Sequence, residues 1–157
     1  MNPCKEPSKE AVNMAEDDEG LLLDNQVCFA LYSAANAIVR AYRPLLIELD
    51  LTYLQYLVMM VLWQSNGINV KTLGEKLHLD SGTLTPLLKR LEGKKLVQRR
   101  VSQRDERVKE LFLTEQGMAV KQKALSIPDA MFCKMNLPAE ELMMLKGLCE
   151  KVTKTLA

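Results

Sequence analysis

VKTLGEKLHLDSGTLTPLLKRLEGKKLVQRRVSQRDERVKELFLT, from Val70 to Thr114, reads as a short helix, a turn, a second helix and a basic two-stranded ribbon. In the first helix Leu73 and Leu77 share a face, and Gly74 is small enough for close helix contact. Asp80 or Ser81 offers a side-chain oxygen to the free amides of a new helix. That helix keeps Leu84, Leu87, Leu88 and Leu91 inward at helical spacing. Its outward residues are Ser81, Thr83, Thr85, Lys89 and Arg90, short hydroxyls followed by cations. Such a helix suits a first turn against base edges and later turns against phosphates. Leu96 to Arg100 and Val108 to Leu113 alternate as strands, joined by the polar segment SQRDER, which contains Arg104, Asp105 and Arg107. The expected fold is mainly α with a small β-wing, a winged helix-turn-helix built to bind DNA.

Charge supports that reading over an ordinary helical pair with a solvated hairpin. From Lys71 to Lys109 there are eleven cations against five anions, whereas the whole chain carries a net charge of only +1. A basic excess confined to one block is what a phosphate-docking surface requires.

Outward from this block the chain is predominantly helical. Its 157 residues fit one domain, and 48% of them are apolar, enough for a real core. No apolar run approaches a membrane span, and the charged start MNPCKEPSKEAVNMAEDDEG lacks the apolar stretch of a signal peptide. A cytoplasmic location is expected, where structural disulfides are rare. Residues 1–20 read as a loosely ordered tail. A long helical pattern runs from Leu21 to Leu49, with Pro44 expected to bend or break it. Thr52 caps TYLQYLVMMVLWQ, a core helix ending at Trp63, and Asn66-Gly67 closes it. Beyond the ribbon, Thr114 caps another helix, Ile127-Pro128 interrupts it, and Leu137-Pro138 opens a last one. The terminal helices, residues 21–50 and 115–157, have more apolar face than the DNA-binding lobe, residues 52–114, can cover. A homodimer follows, presenting two recognition helices to a palindromic double-stranded operator.

Four cysteines and one histidine, with no close cysteine pair, give little support to a metal site, and no cofactor is expected. Cys28 follows Asp24-Asn25-Gln26-Val27. If Asp24 caps the long helix, Cys28 lies near its first turn, where the dipole and free amides favour a thiolate. Tyr32 is one turn further on the same face, and Tyr42 and Tyr53 are candidates to close over the sulfur. Cysteine is more often a small buried hydrophobe, the reading kept for Cys149. Cys4 lies in the tail, and Cys133 falls at a helix end beside Phe132.

The order of an N-terminal helix, a winged helix and two C-terminal helices resembles the MarR regulators. More narrowly, DNQVCFALYSA, LTYLQY, LDSGTLTPLLKRLE and DERVKEL resemble the organic hydroperoxide resistance regulators, from about Leu22 onward. The resemblance implies that Cys28 is the peroxide-reactive cysteine and that Tyr32, Tyr42 and Tyr53 are the tyrosines around it. It implies that Ser81, Thr83 and Thr85 face the major groove. It further implies that Arg107 enters the minor groove while Asp105 holds it in place. Cys133, in IPDAMFCKM, matches the resolving cysteine that the two-cysteine class supplies from the partner subunit. On that basis an organic hydroperoxide releases a repressor from its operator. The rival expectations are a repressor released by a non-covalent aromatic ligand, a general sensor of hypochlorite or quinones, and a thiol peroxidase. The last has no use for a basic wing.

Overall fold

The computed structural model describes residues 18–157. The chain divides into two compact units at Arg40/Ala41, inside the first long helix. In the first unit, two short 3-10 turns, Asp18–Leu21 and Leu23–Asn25, precede helix α1, Val27–Leu46. The long helix therefore starts six residues later than its apolar pattern suggested. Asp24 is not its cap but part of the second 3-10 turn. The cause is local: the Asn25 amide donates to the Glu19 carbonyl, and the Gln26 amide donates to the Gly20 and Leu22 carbonyls. These bonds fold the segment back on itself and give residues 18–20 a defined turn where a loose tail was expected. The rest of that tail lies outside the described residues.

In the second unit, Pro44 sits in the last turn of α1 and the chain tightens into a 3-10 turn at Ile47–Leu49. Helix α2, Tyr53–Gln64, begins with a reciprocal capping box. Thr52 Oγ1 accepts from the Gln55 N–H, and Gln55 Oε1 accepts from the Thr52 N–H. As its all-round apolar sequence implies, α2 buries Tyr56, Val58, Met59 and Leu62. Strand β1 (Ile68–Asn69), helix α3 (Val70–Leu77) and helix α4 (Ser81–Gly93) follow, then strands β2 (Val97–Val101) and β3 (Lys109–Leu113). The sheet is antiparallel in the order β1-β3-β2, with Leu111 facing both Ile68 and Arg99. The ribbon strands each begin one residue later than their alternation suggested. The two-residue β1 has too little length to show a period, so it escaped the sequence reading.

The core gathers Leu46, Leu49 and Leu51 with the α2 face, Leu73, the four inward leucines of α4, and Leu111 and Leu113 of β3. Gly74 is buried as expected: a Cβ there would stand 2.8 Å from the Leu79 carbonyl oxygen and 3.0 Å from Leu84. Helices α5 (Glu115–Ala124) and α6 (Ile127–Met135) are separated at Leu125-Ser126, with Pro128 in the first turn of α6, where it costs no hydrogen bond. Helix α7, Ala139–Leu156, buries no residue, and Met143, Met144, Leu145, Leu148 and Leu156 are exposed. Among the described residues no single helix is long and apolar enough to cross a membrane.

Candidate DNA-binding surface and cysteine site

Asp80, and not Ser81, caps α4, its Oδ1 accepting from the Thr83 N–H at 2.7 Å. That bond holds the Asp80 carboxyl below the usual aspartate range. Ser81, Thr85 and Lys89 lie on one exposed strip at four-residue intervals. The Thr85 hydroxyl donates to the Ser81 carbonyl at 2.8 Å, which leaves its oxygen free to accept. Thr83 and Arg90 lie at the edge of a crevice of about 230 Å³ shared with Thr52, Leu54 and Gln55. Thr83 is thus half-buried and less outward than its neighbours.

The wing connection is more ordered than its polar composition suggests. Ser102 is buried, its amide bonds the Val108 carbonyl, and its Oγ accepts from the Arg104 N–H at 3.3 Å. Asp105 turns the tip: its carboxylate accepts from the Arg107 N–H at 3.0 Å, and its carbonyl accepts from the Val108 N–H. Arg104 and Arg107 are exposed.

Part of the local excess of cations is engaged by partners within the protein. Arg99 chelates Glu92, and Arg100 lies over the Phe112 ring at 4.9 Å. Lys94 is held by Asp50 and Gln55. Exposed Arg100 and the cations outside these contacts, among them Lys89, Arg90, Arg104, Arg107 and Lys109, make the basic surface. Charge counting could not separate the two groups, because the anchoring partners are distant in sequence.

Cys28 occupies the second position of α1, with Val27 and Phe29 beside it, and Tyr32 is four residues further on. Cys28 and Tyr32 are both exposed. Tyr42 and Tyr53 stack with ring centroids 4.7 Å apart, and Tyr56 joins them 5.9 Å from Tyr42. Burial is the main cause that raises the pKa of all three above the ordinary phenol value. At neutral pH they therefore stay protonated and able to donate. Tyr56 is not among the tyrosines the sequence singles out, although its spacing of three from Tyr53 places both on one helix face. Cys133, in the last turn of α6 beside exposed Phe132, is also exposed, while Cys149 on α7 is half-buried. Cys4 lies outside the described residues. Trp63 is structural, as expected: its Nε1 donates to the Gly117 carbonyl at 3.0 Å.

A family model described as transcriptional regulator SarA/Rot matches residues 40–124. The HTH-type transcriptional regulator TtmR of Methylorubrum extorquens is 49% identical over 122 residues, 78% of this chain and 63% of that protein's length. The chain thus spans less than two thirds of that relative. The organic hydroperoxide resistance transcriptional regulator of Bacillus subtilis is 42% identical over 134 residues, 85% of this chain and 91% of that protein. Among solved structures, AbfR of Staphylococcus epidermidis, reduced and bound to DNA, superposes with a TM-score of 0.75. It shares 33% identity, over 89% of this chain and 96% of that one. Its disulfide form gives a TM-score of 0.64 at 29% identity, over 92% of this chain and all of that one.

Proposed function

This chain belongs to the MarR-type transcriptional regulators of the SarA/Rot and organic hydroperoxide resistance kind, and from that premise we propose that it is a redox-released DNA-binding repressor. It is a regulator, not an enzyme. In its reduced form two copies pair through the terminal helices and meet a palindromic operator in the cytoplasm. Ser81, Thr83 and Thr85 address the major groove, Lys89, Arg90 and Arg104 the phosphates, and Arg107 the minor groove beside Asp105.

An organic hydroperoxide then oxidises the Cys28 thiolate. The sulfur takes the distal oxygen as the O–O bond breaks, and the alcohol leaves with a proton from solvent or a tyrosine hydroxyl. The O–H donors to the sulfur are assigned to Tyr32, Tyr42 and Tyr53 by the family resemblance alone. The Cys133 thiol of the second copy attacks the resulting sulfenic acid, forming a disulfide and releasing water. A disulfide requires Cα atoms within about 7 Å. Closing it across the dimer shifts the two recognition helices relative to one another. A loss of ~2.7 kcal/mol weakens operator binding about a hundred-fold.

The observation that carries this reading is that both cysteines are free and exposed on helices whose neighbouring apolar residues, Val27, Phe29 and Phe132, are exposed too. Operator release, followed by fluorescence anisotropy, tests it. Organic hydroperoxide, hydrogen peroxide and hypochlorite should be compared on wild type and Cys28→Ser. Release of wild type by organic hydroperoxide, abolished in Cys28→Ser, is expected. Equal release of both proteins sinks the proposal, and a stronger response to hypochlorite reassigns the oxidant.

A second reading, release by a non-covalent aromatic ligand, is favoured by one feature. An apolar pocket of about 190 Å³ lies among Tyr56, Met60, Trp63, Lys121, Leu125 and Pro128. Such release survives Cys28→Ser.

A further inference from the structure

Gln55 is a polar residue only 2% exposed in the middle of an otherwise apolar helix start. Its Oε1 accepts from two donors, the Thr52 N–H at 3.1 Å and the Lys94 ammonium at 3.2 Å. The same ammonium donates to the Asp50 carbonyl and stands 3.3 Å from the Asp50 carboxylate. Lys94 is the residue that ends α4, and its own N–H bonds the Arg90 carbonyl. Tyr53, one residue past the cap of α2, belongs to the tyrosine cluster. One ammonium therefore joins the tail of the DNA-reading helix to the turn that carries Tyr53.

The backbone around this junction is committed on both sides. Asp50 and Lys95 both adopt the left-handed conformation, with φ of 52° and 58°. Non-glycine residues occupy that region at a cost, and only where their surroundings over-determine it. On the Asp50 side, its N–H bonds Ile47 and the Leu51 N–H bonds Leu46. On the Lys95 side, its N–H bonds Glu92 and the Leu96 N–H bonds Leu91. A shift of Tyr53 along α2 thus moves the capping box, and the capping box moves the oxygen that holds Lys94.

We propose that Lys94 and Gln55 form the latch through which the state of the tyrosine cluster reaches the recognition helix. The inference rests on the redox reading above and names the residues that transmit it. Lys94 acts here as a positioning residue: it serves as an internal anchor to α2, not as a phosphate contact. Of the residues flanking it, Glu92 completes the other anchor, to the wing through Arg99. The tail of α4 is therefore pinned to α2 and to β2 at once, and helix and wing are carried together.

The test compares wild type, Lys94→Met and Gln55→Glu for operator affinity before and after organic hydroperoxide, with non-reducing gels run in parallel. Wild type should lose about 100-fold affinity on oxidation, within the usual span of coupling between sites. Lys94→Met should form the same covalent dimer yet lose affinity less than about ten-fold, because oxidation no longer reaches α4. Gln55→Glu keeps the cap and strengthens the pair, so it should respond like wild type. If Lys94→Met does not fold, Lys94→Gln carries the same expectation, its amide being too short to bridge Gln55 and Asp50. A wild type that releases DNA alongside a Lys94 variant that releases it equally overturns the latch alone. A wild type that does not respond to the hydroperoxide overturns the redox reading and the latch with it.

Discussion

The guanidinium of Arg99 meets the carboxylate of Glu92 through N–H···O contacts of 2.6 to 3.0 Å, joining β2 to the last turn of α4. Two-point contact fixes direction as well as distance. The wing therefore cannot rotate about its base without breaking both contacts.

The hydrogen bonds from Arg99 hold the Glu92 carboxyl below its ordinary value of 4.5. The stabilisation they provide is fully present above that value and is lost as pH falls through the lower, folded one. Glu92→Gln should reduce stability at pH 7 by about 1 kcal/mol, the upper end for a pair of this exposure. The difference from wild type should shrink as pH drops below 4.5. Urea denaturation at several pH values, at one fixed protein concentration, measures both.

Arg107 is exposed at a wing tip that Asp105 shapes through the backbone. Arg107→Ala should therefore leave folding unchanged and weaken operator binding. The slope of log affinity against log salt should also fall by about one. Unchanged binding and slope would show that the wing does not enter the groove.

Cys133 is exposed in the last turn of α6. Cys133→Ser should fold normally and should not form the covalent dimer seen on non-reducing gels after hydroperoxide. A covalent dimer persisting in this variant would move the partner role to Cys149 or Cys4.

A Cβ at Gly117 would stand 2.1 Å from the Leu96 carbonyl oxygen, which itself accepts from the Thr114 N–H. Neither backbone can yield without losing that bond and the Trp63 contact. Gly117→Ala should cost about 3 kcal/mol. Trp63 is the only tryptophan, so its fluorescence reports the loss in a denaturant titration.

The parts legible from sequence were those fixed by neighbours in the chain. The caps at Thr52, Asp80 and Thr114, the leucine face of α4 and the close approach at Gly74 all depend on residues a few positions apart. Periodicity and propensity read such spacings directly. What escaped depends on distant partners. Glu92 and Arg99 bracket a turn, Lys94 reaches back forty-four residues to Asp50, and β1 is too short to carry a period. The start of α1 was misplaced because leucines at 21–23 extend the apolar pattern, while Asn25 and Gln26 fold that stretch into turns. The cysteine site was legible as residues but not as an arrangement. Tyr56 shows why: a tyrosine on an apolar face reads as core until its neighbours are known.

Asn69 belongs to two elements at once: its backbone pairs with Glu110 in the sheet, and its side chain caps α3 by accepting from the Thr72 N–H at 2.8 Å. Sheet and helix-turn-helix thus share a residue, with no slack between them. The consequence is one of engineering. The framework of the helix-turn-helix and wing is set by Asn69, Gly74, Asp80 and the Glu92–Arg99 pair, none of them on the Ser81–Thr85–Lys89 strip. If the strip reads DNA as proposed, it can be rewritten for a new operator sequence while the frame that aims it is left untouched.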